Sequence, residues 1–195
     1  MFLLCIAFVF SGCVGNSAFN ISDAAPMELS ALDAEEYIKL NGYTGIDIVR
    51  TEGEGRDLAV WREITSRAEV ISLPQAQVDY YYQSQRKEYV YLAGLYGIKY
   101  ERVLEIYELT DEVLLEKARE LTKKDLVFYA VLQSAGIALT DEEFEKNLDK
   151  YVTKISSVQR LPEEYVKTNM CDSIRETMLY DKASEFLIAN NNFVN

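Results

Sequence analysis

Residues 72–97 read SLPQAQVDYYYQSQRKEYVYLAGLYG, and the rest of the chain is read outward from them. After Pro74 nothing breaks a helix until Gly94 and Gly97, so the spacing predicts one long helix ending near Tyr96. Ser72 followed by Gln75 has the pattern of a capping box, with Pro74 tolerated in the first turn. Gly97 supplies a stop. Val78, Tyr82, Tyr89, Leu92 and Tyr96 fall on one stripe of such a helix, while Tyr80, Tyr81 and Tyr91 point elsewhere. The helix is therefore aromatic on more than one face.

Downstream, Val103, Leu104 and Tyr107 predict a short helix closed by Leu109. Thr110 then caps a long one that reaches Ala135 and stops at Gly136. Its apolar face is Leu114, Ala118, Leu121, Phe128 and Leu132. Thr140-Asp141-Glu142-Glu143 is a second capping box, opening a helix with Phe144, Leu148, Val152 and Ile155. Leu161-Pro162-Glu163-Glu164 starts a short helix through Tyr165 and Val166. A last one runs from about Asp172 to Ala189, carrying Ile174, Met178, Ala183, Phe186 and Leu187, and Asn190-Asn191-Asn192 breaks it. Upstream, Leu58, Trp61, Ile64 and Ala68 mark a helix over 57–69 with the single tryptophan as its core anchor. Ile46-Asp47-Ile48 has the alternation of a short strand. The fold class expected is mainly α, with long helical arms and a short N-terminal strand segment.

The N-terminus is different in kind. Phe2 to Phe10 is an unbroken apolar run, far shorter than the roughly 20 residues that span a bilayer. It has the length of a signal-peptide core. Phe10-Ser11-Gly12-Cys13 resembles a bacterial lipobox, in which the cysteine thiol is acylated after cleavage. The expected organisation is a signal peptide over 1–12, a lipidated tether with a short strand over 13–55, and a helical domain over 56–195. Residues from about 14 to 34, with Pro26 and many small or polar residues, read as a tether that holds a folded body away from a lipid surface. Of the three cysteines, Cys5 would be removed and Cys13 acylated. Cys171 remains, with no partner for an intrachain disulfide, and reads as a small half-buried residue rather than a reactive thiol.

Composition narrows the chemistry. There is no histidine, which removes the commonest general base and the usual nitrogen ligand for metals. A formal net charge of −12 repels phosphate backbones, so nucleic acid is not an expected partner. The acidic groups at Asp141-Glu142-Glu143 and Glu163-Glu164 sit at helix starts, where they favour the macrodipole. No catalytic residue, metal site or cofactor is expected, and the chain does not read as an enzyme.

From Ala59 to Asn191 the pattern resembles the C-terminal domain of the trigger factor family. The similarity is carried by the prolyl entry Leu73-Pro74-Gln75-Ala76-Gln77-Val78, by Tyr129-Ala130-Val131-Leu132, by Ile137-Ala138-Leu139-Thr140-Asp141-Glu142-Glu143-Phe144, and by the closing Asp181-Lys182-Ala183-Ser184-Glu185-Phe186-Leu187. The stretch from Tyr37 to Ile48 is similar to the strand that leads into the isomerase domain in those proteins. Here only residues 49–60 separate Ile48 from Trp61, too few for the FKBP-type prolyl isomerase domain the family commonly inserts. The resemblance implies a helical cradle that holds non-native polypeptide without ATP and without isomerase activity. With the lipobox it implies anchoring to the extracytoplasmic face of the cell membrane and clients among exported proteins. An adaptor that holds one specific folded partner is the alternative. Tyrosine suits an area-driven, sequence-tolerant site, so the expected peptide-binding residues are Tyr80, Tyr81, Tyr82, Tyr89, Tyr91, Tyr96 and Tyr107.

Overall fold

The computed structural model describes residues 25–194. The signal peptide expected over 1–12, the lipidation site Cys13 and the tether up to residue 24 lie outside the described residues. In chain order the elements are β1 (Ile38–Lys39), β2 (Asp47–Val49), α1 (Arg56–Arg67), β3 (Glu69–Val70), α2 (Gln75–Tyr96), α3 (Tyr100–Ile106), α4 (Asp111–Ala135), α5 (Asp141–Gln159), α6 (Glu163–Asn169), α7 (Cys171–Ala189) and β4 (Asn192–Val194). The described residues are 69% helical, and the strands are short: a mainly α fold. They divide into two compact units, one formed by 40–68 with 130–194, the other by 25–39 with 69–129.

In the first unit α7 is the shared partner of α1, α5 and α6. Ala59, Val60 and Ile64 of α1 are wholly buried, as are Ile174, Ala183 and Leu187 of α7. Trp61 is the anchor its uniqueness suggested: it is 5% exposed, and its indole Nε1 donates to Ser184 Oγ at 2.8 Å. Helix α5 starts as its sequence dictates. Thr140 accepts from the Glu143 amide while the Glu143 carboxylate accepts from the Thr140 amide, a complete capping box. Glu143 also holds Lys182 Nζ of α7 at 2.8 Å.

Asn190-Asn191-Asn192 does end α7, but it also does something local periodicity could not show. Asn191 accepts from Ile46 N and donates to Tyr43 O, each at 3.0 Å. The chain then continues as β4, which pairs in parallel with β2 in the register Asp47 to Asn192, Ile48 to Phe193 and Val49 to Val194. Ile48, fully buried, sits at the centre of that pairing.

The second unit is built on α2 and the first five turns or so of α4. Two expectations are corrected here. Ser72 is not the N-cap of α2; Pro74 is, with extended backbone and no side-chain cap bond. The residue before a proline is pushed out of helical conformation, so Leu73 cannot be the first helical residue after a Ser72 cap. Nor is the described part of the expected tether free. Residues 25–37, here called the strap, form two 3-10 turns at Leu29–Ala31 and Ala34–Glu36, with Leu29 and Ala34 buried. Burial of these two apolar side chains favours docking over a solvated linker. The strap runs into β1, which pairs antiparallel with β3. A third correction falls in the first unit: Cys171 is exposed rather than half-buried. It is the first residue of α7, and its Sγ lies 3.2 Å from Lys167 O.

Candidate functional site at the end of the α2–α3 hairpin

Helix α2 is 22 residues long, about 33 Å at 1.5 Å per residue. Its two halves present different chemistry. In the first half the hydroxyls of Tyr81 and Tyr82 are hydrogen-bonded inside the unit. Tyr81 donates to Asp125 of α4, and burial pushes its own pKa far up. Tyr82 and, from α3, Tyr100 both donate to Asp111 Oδ1, at 3.1 and 2.7 Å. Burial and the Asp111 carboxylate raise the pKa of both hydroxyls, so they stay neutral donors. The Arg86 guanidinium lies over the Tyr100 ring, 5.3 Å from its centre. Tyr80 is half-buried, its ring 5.4 Å from that of Tyr81. These bonds fix the direction of α2 against α4.

The second half ends in the open. Gly97 takes the left-handed conformation, φ 64°, and its N–H closes the last turn on Ala93 O and Gly94 O. Ile98 N also bonds Ala93 O at 3.0 Å, so the chain doubles back at once into α3. Val103 and Leu104 are the buried face of α3. Large apolar side chains remain outside among exposed charged ones: Tyr91 is 70% exposed, Leu95 62%, Tyr96 67%, Ile106 58% and Tyr107 53%, with Ile98 at 37%, beside exposed Glu88, Lys99, Glu101, Arg102 and Glu105. Tyr89 meets Tyr107 edge-on at 5.7 Å and ties the C-terminal end of α3 back to α2. Large apolar side chains left in water cost free energy that any apolar partner recovers.

The seven tyrosines singled out by sequence are thus divided by the structure. Tyr91, Tyr96 and Tyr107 are exposed, and Tyr89 is half-buried against the Tyr107 ring. Tyr80, Tyr81 and Tyr82 lie in the half that is bonded to the rest of the unit. Leu95, Ile98 and Ile106 are exposed as well and were missed. The signal available was their position: an apolar residue just before or after a helix-stopping glycine, or at the end of a seven-residue helix, has no further turn to cover it.

Between the first half of α2 and the start of α4 lies a groove of about 790 Å³, lined by Ala25, Gln75, Asp79, Tyr82, Asp111 and Leu115 among others. Among the described residues no group of three or more His, Cys, Asp or Glu is placed to hold a metal ion, and no helix is long and apolar enough to cross a membrane.

The family model of the bacterial trigger factor C-terminus matches residues 55–189. The chain belongs to this family. It is 25% identical over 175 residues to the trigger factor of Clostridioides difficile (strain 630), a match covering 80% of this chain and 40% of that protein. It is 27% identical over 137 residues to the trigger factor of Caldicellulosiruptor saccharolyticus, covering 66% of this chain and 30% of the other. The chain therefore spans less than half the length of these relatives, and the family match covers the C-terminal domain alone. No solved structure matches the chain.

Proposed function

We propose that the protein is a lipid-anchored, extracytoplasmic chaperone-like protein that holds non-native, exported polypeptides without ATP. The observation that carries this reading is the exposed apolar end of the α2–α3 hairpin, mounted on a helix whose other half is fixed by Tyr81–Asp125 and Tyr82–Asp111 bonds. A rigid mount leaves little ordering entropy to be lost when an unfolded segment covers Tyr91, Leu95, Tyr96, Ile106 and Tyr107. Membership of the trigger factor C-terminus family supports polypeptide binding. The anchor rests on the lipobox-like Phe10-Ser11-Gly12-Cys13, and the extracytoplasmic location on the apolar run before it. Prolyl isomerase activity is not part of the proposal; the support for leaving it out is that only residues 49–60 separate Ile48 from Trp61.

Suppression of aggregation of a chemically denatured reporter tests the holding role. The wild-type chain should suppress it at modest molar excess. Replacing Tyr91, Leu95, Tyr96 and Tyr107 together with serine should raise the concentration needed about tenfold or more, because tenfold corresponds to about 1.4 kcal/mol of lost apolar burial. Thermal stability should fall by no more than about 2 kcal/mol, from the lost Tyr89–Tyr107 ring contact and the poorer helix propensity of serine. Equal suppression by wild type and variant would remove the site. Stoichiometric capture of one folded protein, with no effect on aggregation, would favour an adaptor. Incorporation of labelled fatty acid that is lost in Cys13→Ser tests the anchor separately.

A further inference from the structure

The strap is held at Met27 by a relay of polar groups that the holding role does not use. Met27 N donates to Gln77 Oε1 at 2.9 Å. A backbone N–H can only donate, so Gln77 must turn its oxygen to Met27 and its NH₂ the other way. That NH₂ meets Asp125 Oδ2 at 3.3 Å, and the Tyr81 hydroxyl donates to the same oxygen. Gln77 is 3% exposed, so water is no ready substitute on either side of its amide. Strap, α2 and α4 are joined through one side chain whose orientation depends on Asp125 being an acceptor.

We infer that this relay is a proton-sensitive latch: the Asp125 carboxylate holds the Gln77 amide in the one orientation that ties down Met27, and protonation of Asp125 lets the start of the strap lift off α2. The reason is donor–acceptor matching. An ionised carboxylate only accepts, so a flipped Gln77 would set oxygen against oxygen on one side and NH₂ against N–H on the other. A protonated carboxyl carries its own O–H, which the flipped Gln77 oxygen accepts, and the flipped amide then faces the Met27 N–H with a donor. The charged form permits one orientation; the neutral form permits both. Burial raises the Asp125 carboxyl to about 6, against the opposing hydrogen bonds of Tyr81 and Gln77, which places the change at mildly acidic pH. The groups facing Asp125 are Tyr81 and Gln77 from α2, with Tyr80 acting on Tyr81. The strap brings the Met27 amide, and among the described residues no Lys or Arg pairs with Asp125.

The reach of the latch is set by what else holds the strap. Leu29 and Ala34 stay buried, and Tyr37 O accepts from Ile71 N and Ser72 N. Opening is therefore confined to residues 25–28. Ala25 is part of the wall of the groove beside α2, so lifting these residues removes part of that wall. The latch operates whether or not Cys13 is acylated.

Hydrogen exchange at the Met27 amide in the full chain, corrected for intrinsic pH dependence, tests this. Protection should fall about tenfold between roughly pH 7.5 and pH 5, with a midpoint near the Asp125 titration. Asp125→Asn should show the low value at both pH values. Gln77→Leu, which keeps the helix and removes the acceptor, should lose Met27 protection throughout. The amide of Leu32, bonded to Leu29 O in the turn that stays docked, should remain protected in every case. Met27 protection that ignores pH in the wild type, or pH dependence that survives in Asp125→Asn, overturns the latch. Acid-induced loss of protection at Leu32 and across α2 alike also overturns it, because that is unfolding of the unit.

Discussion

Ser184→Ala removes the acceptor of the Trp61 indole at the centre of the first unit, together with the Ser184 contact to the Tyr180 hydroxyl. Ser184 lies on α7 and is 5% exposed; its Oγ accepts from the Trp61 indole of α1 at 2.8 Å, and the Tyr180 ring is stacked on the indole at 5.5 Å. Removing the hydroxyl takes the acceptor from a buried N–H, which costs about 1–3 kcal/mol, and alanine returns about 0.5 kcal/mol in helix propensity. The net loss is about 1.5 kcal/mol, or about 3–6 °C in melting temperature for a chain of this size. Trp61 is the only tryptophan, so its fluorescence during denaturant unfolding reports the first unit directly. The midpoint should fall with an unchanged slope. In a Trp61→Phe background, followed by circular dichroism, Ser184→Ala should be neutral or slightly stabilising, giving a coupling of about 1–2 kcal/mol. A loss below about 0.3 kcal/mol, or the same loss in both backgrounds, would refute the assignment of this bond as the tie between α1 and α7.

Two further outcomes follow from other parts of the fold. Thr140→Ala removes one half of the α5 capping box and should cost about 1 kcal/mol, with faster exchange of the Glu143 amide that it caps; an unchanged melting temperature would show that the box is incidental. Asp125 has a folded pKa of about 6, above the model-peptide carboxyl, so the folded state binds its proton more tightly. Its favourable contribution is complete below the unfolded pKa and is lost as pH rises through about 6, so Asp125→Asn should flatten the stability profile and gain on the wild type by up to about 3 kcal/mol near pH 7.5. A stability difference that is constant between about pH 4 and pH 7.5 would contradict this.

Helix positions were legible in the sequence because their signals are local. Gly97 and Gly136 adopt φ 64° and 63° after the last turns of α2 and α4, and Thr140 with Glu143 forms the reciprocal cap their spacing announces. Thr110, too, caps α4 by accepting from Val113 N. Where reading failed, the deciding interaction came from elsewhere in the chain or from an overlooked local constraint. The constraint of Pro74 on Leu73 displaced the expected cap. Docking of Leu29 and Ala34 made the described end of the expected tether a packed strap. The short strand around Ile48 had a local pattern, but its pairing with Phe193 left no local signal. The candidate site was half legible for a related reason. A helix with tyrosines on more than one face announces that some must be exposed, but which ones depends on Asp111 and Asp125 claiming the first half of α2. Periodicity cannot see those carboxylates.

The β2–β4 pairing also sets an order of events during synthesis. The second unit is complete once residue 129 has emerged, whereas the first draws β2 and α1 from before it and α5, α6, α7 and β4 from after it. Ile48 and Trp61 must wait for Phe193 and Ser184, contacts of high sequence separation that slow folding. A chain made from its N-terminus can thus mature the α2–α3 hairpin first, while the first unit closes only when the last strand has left the machinery that made it.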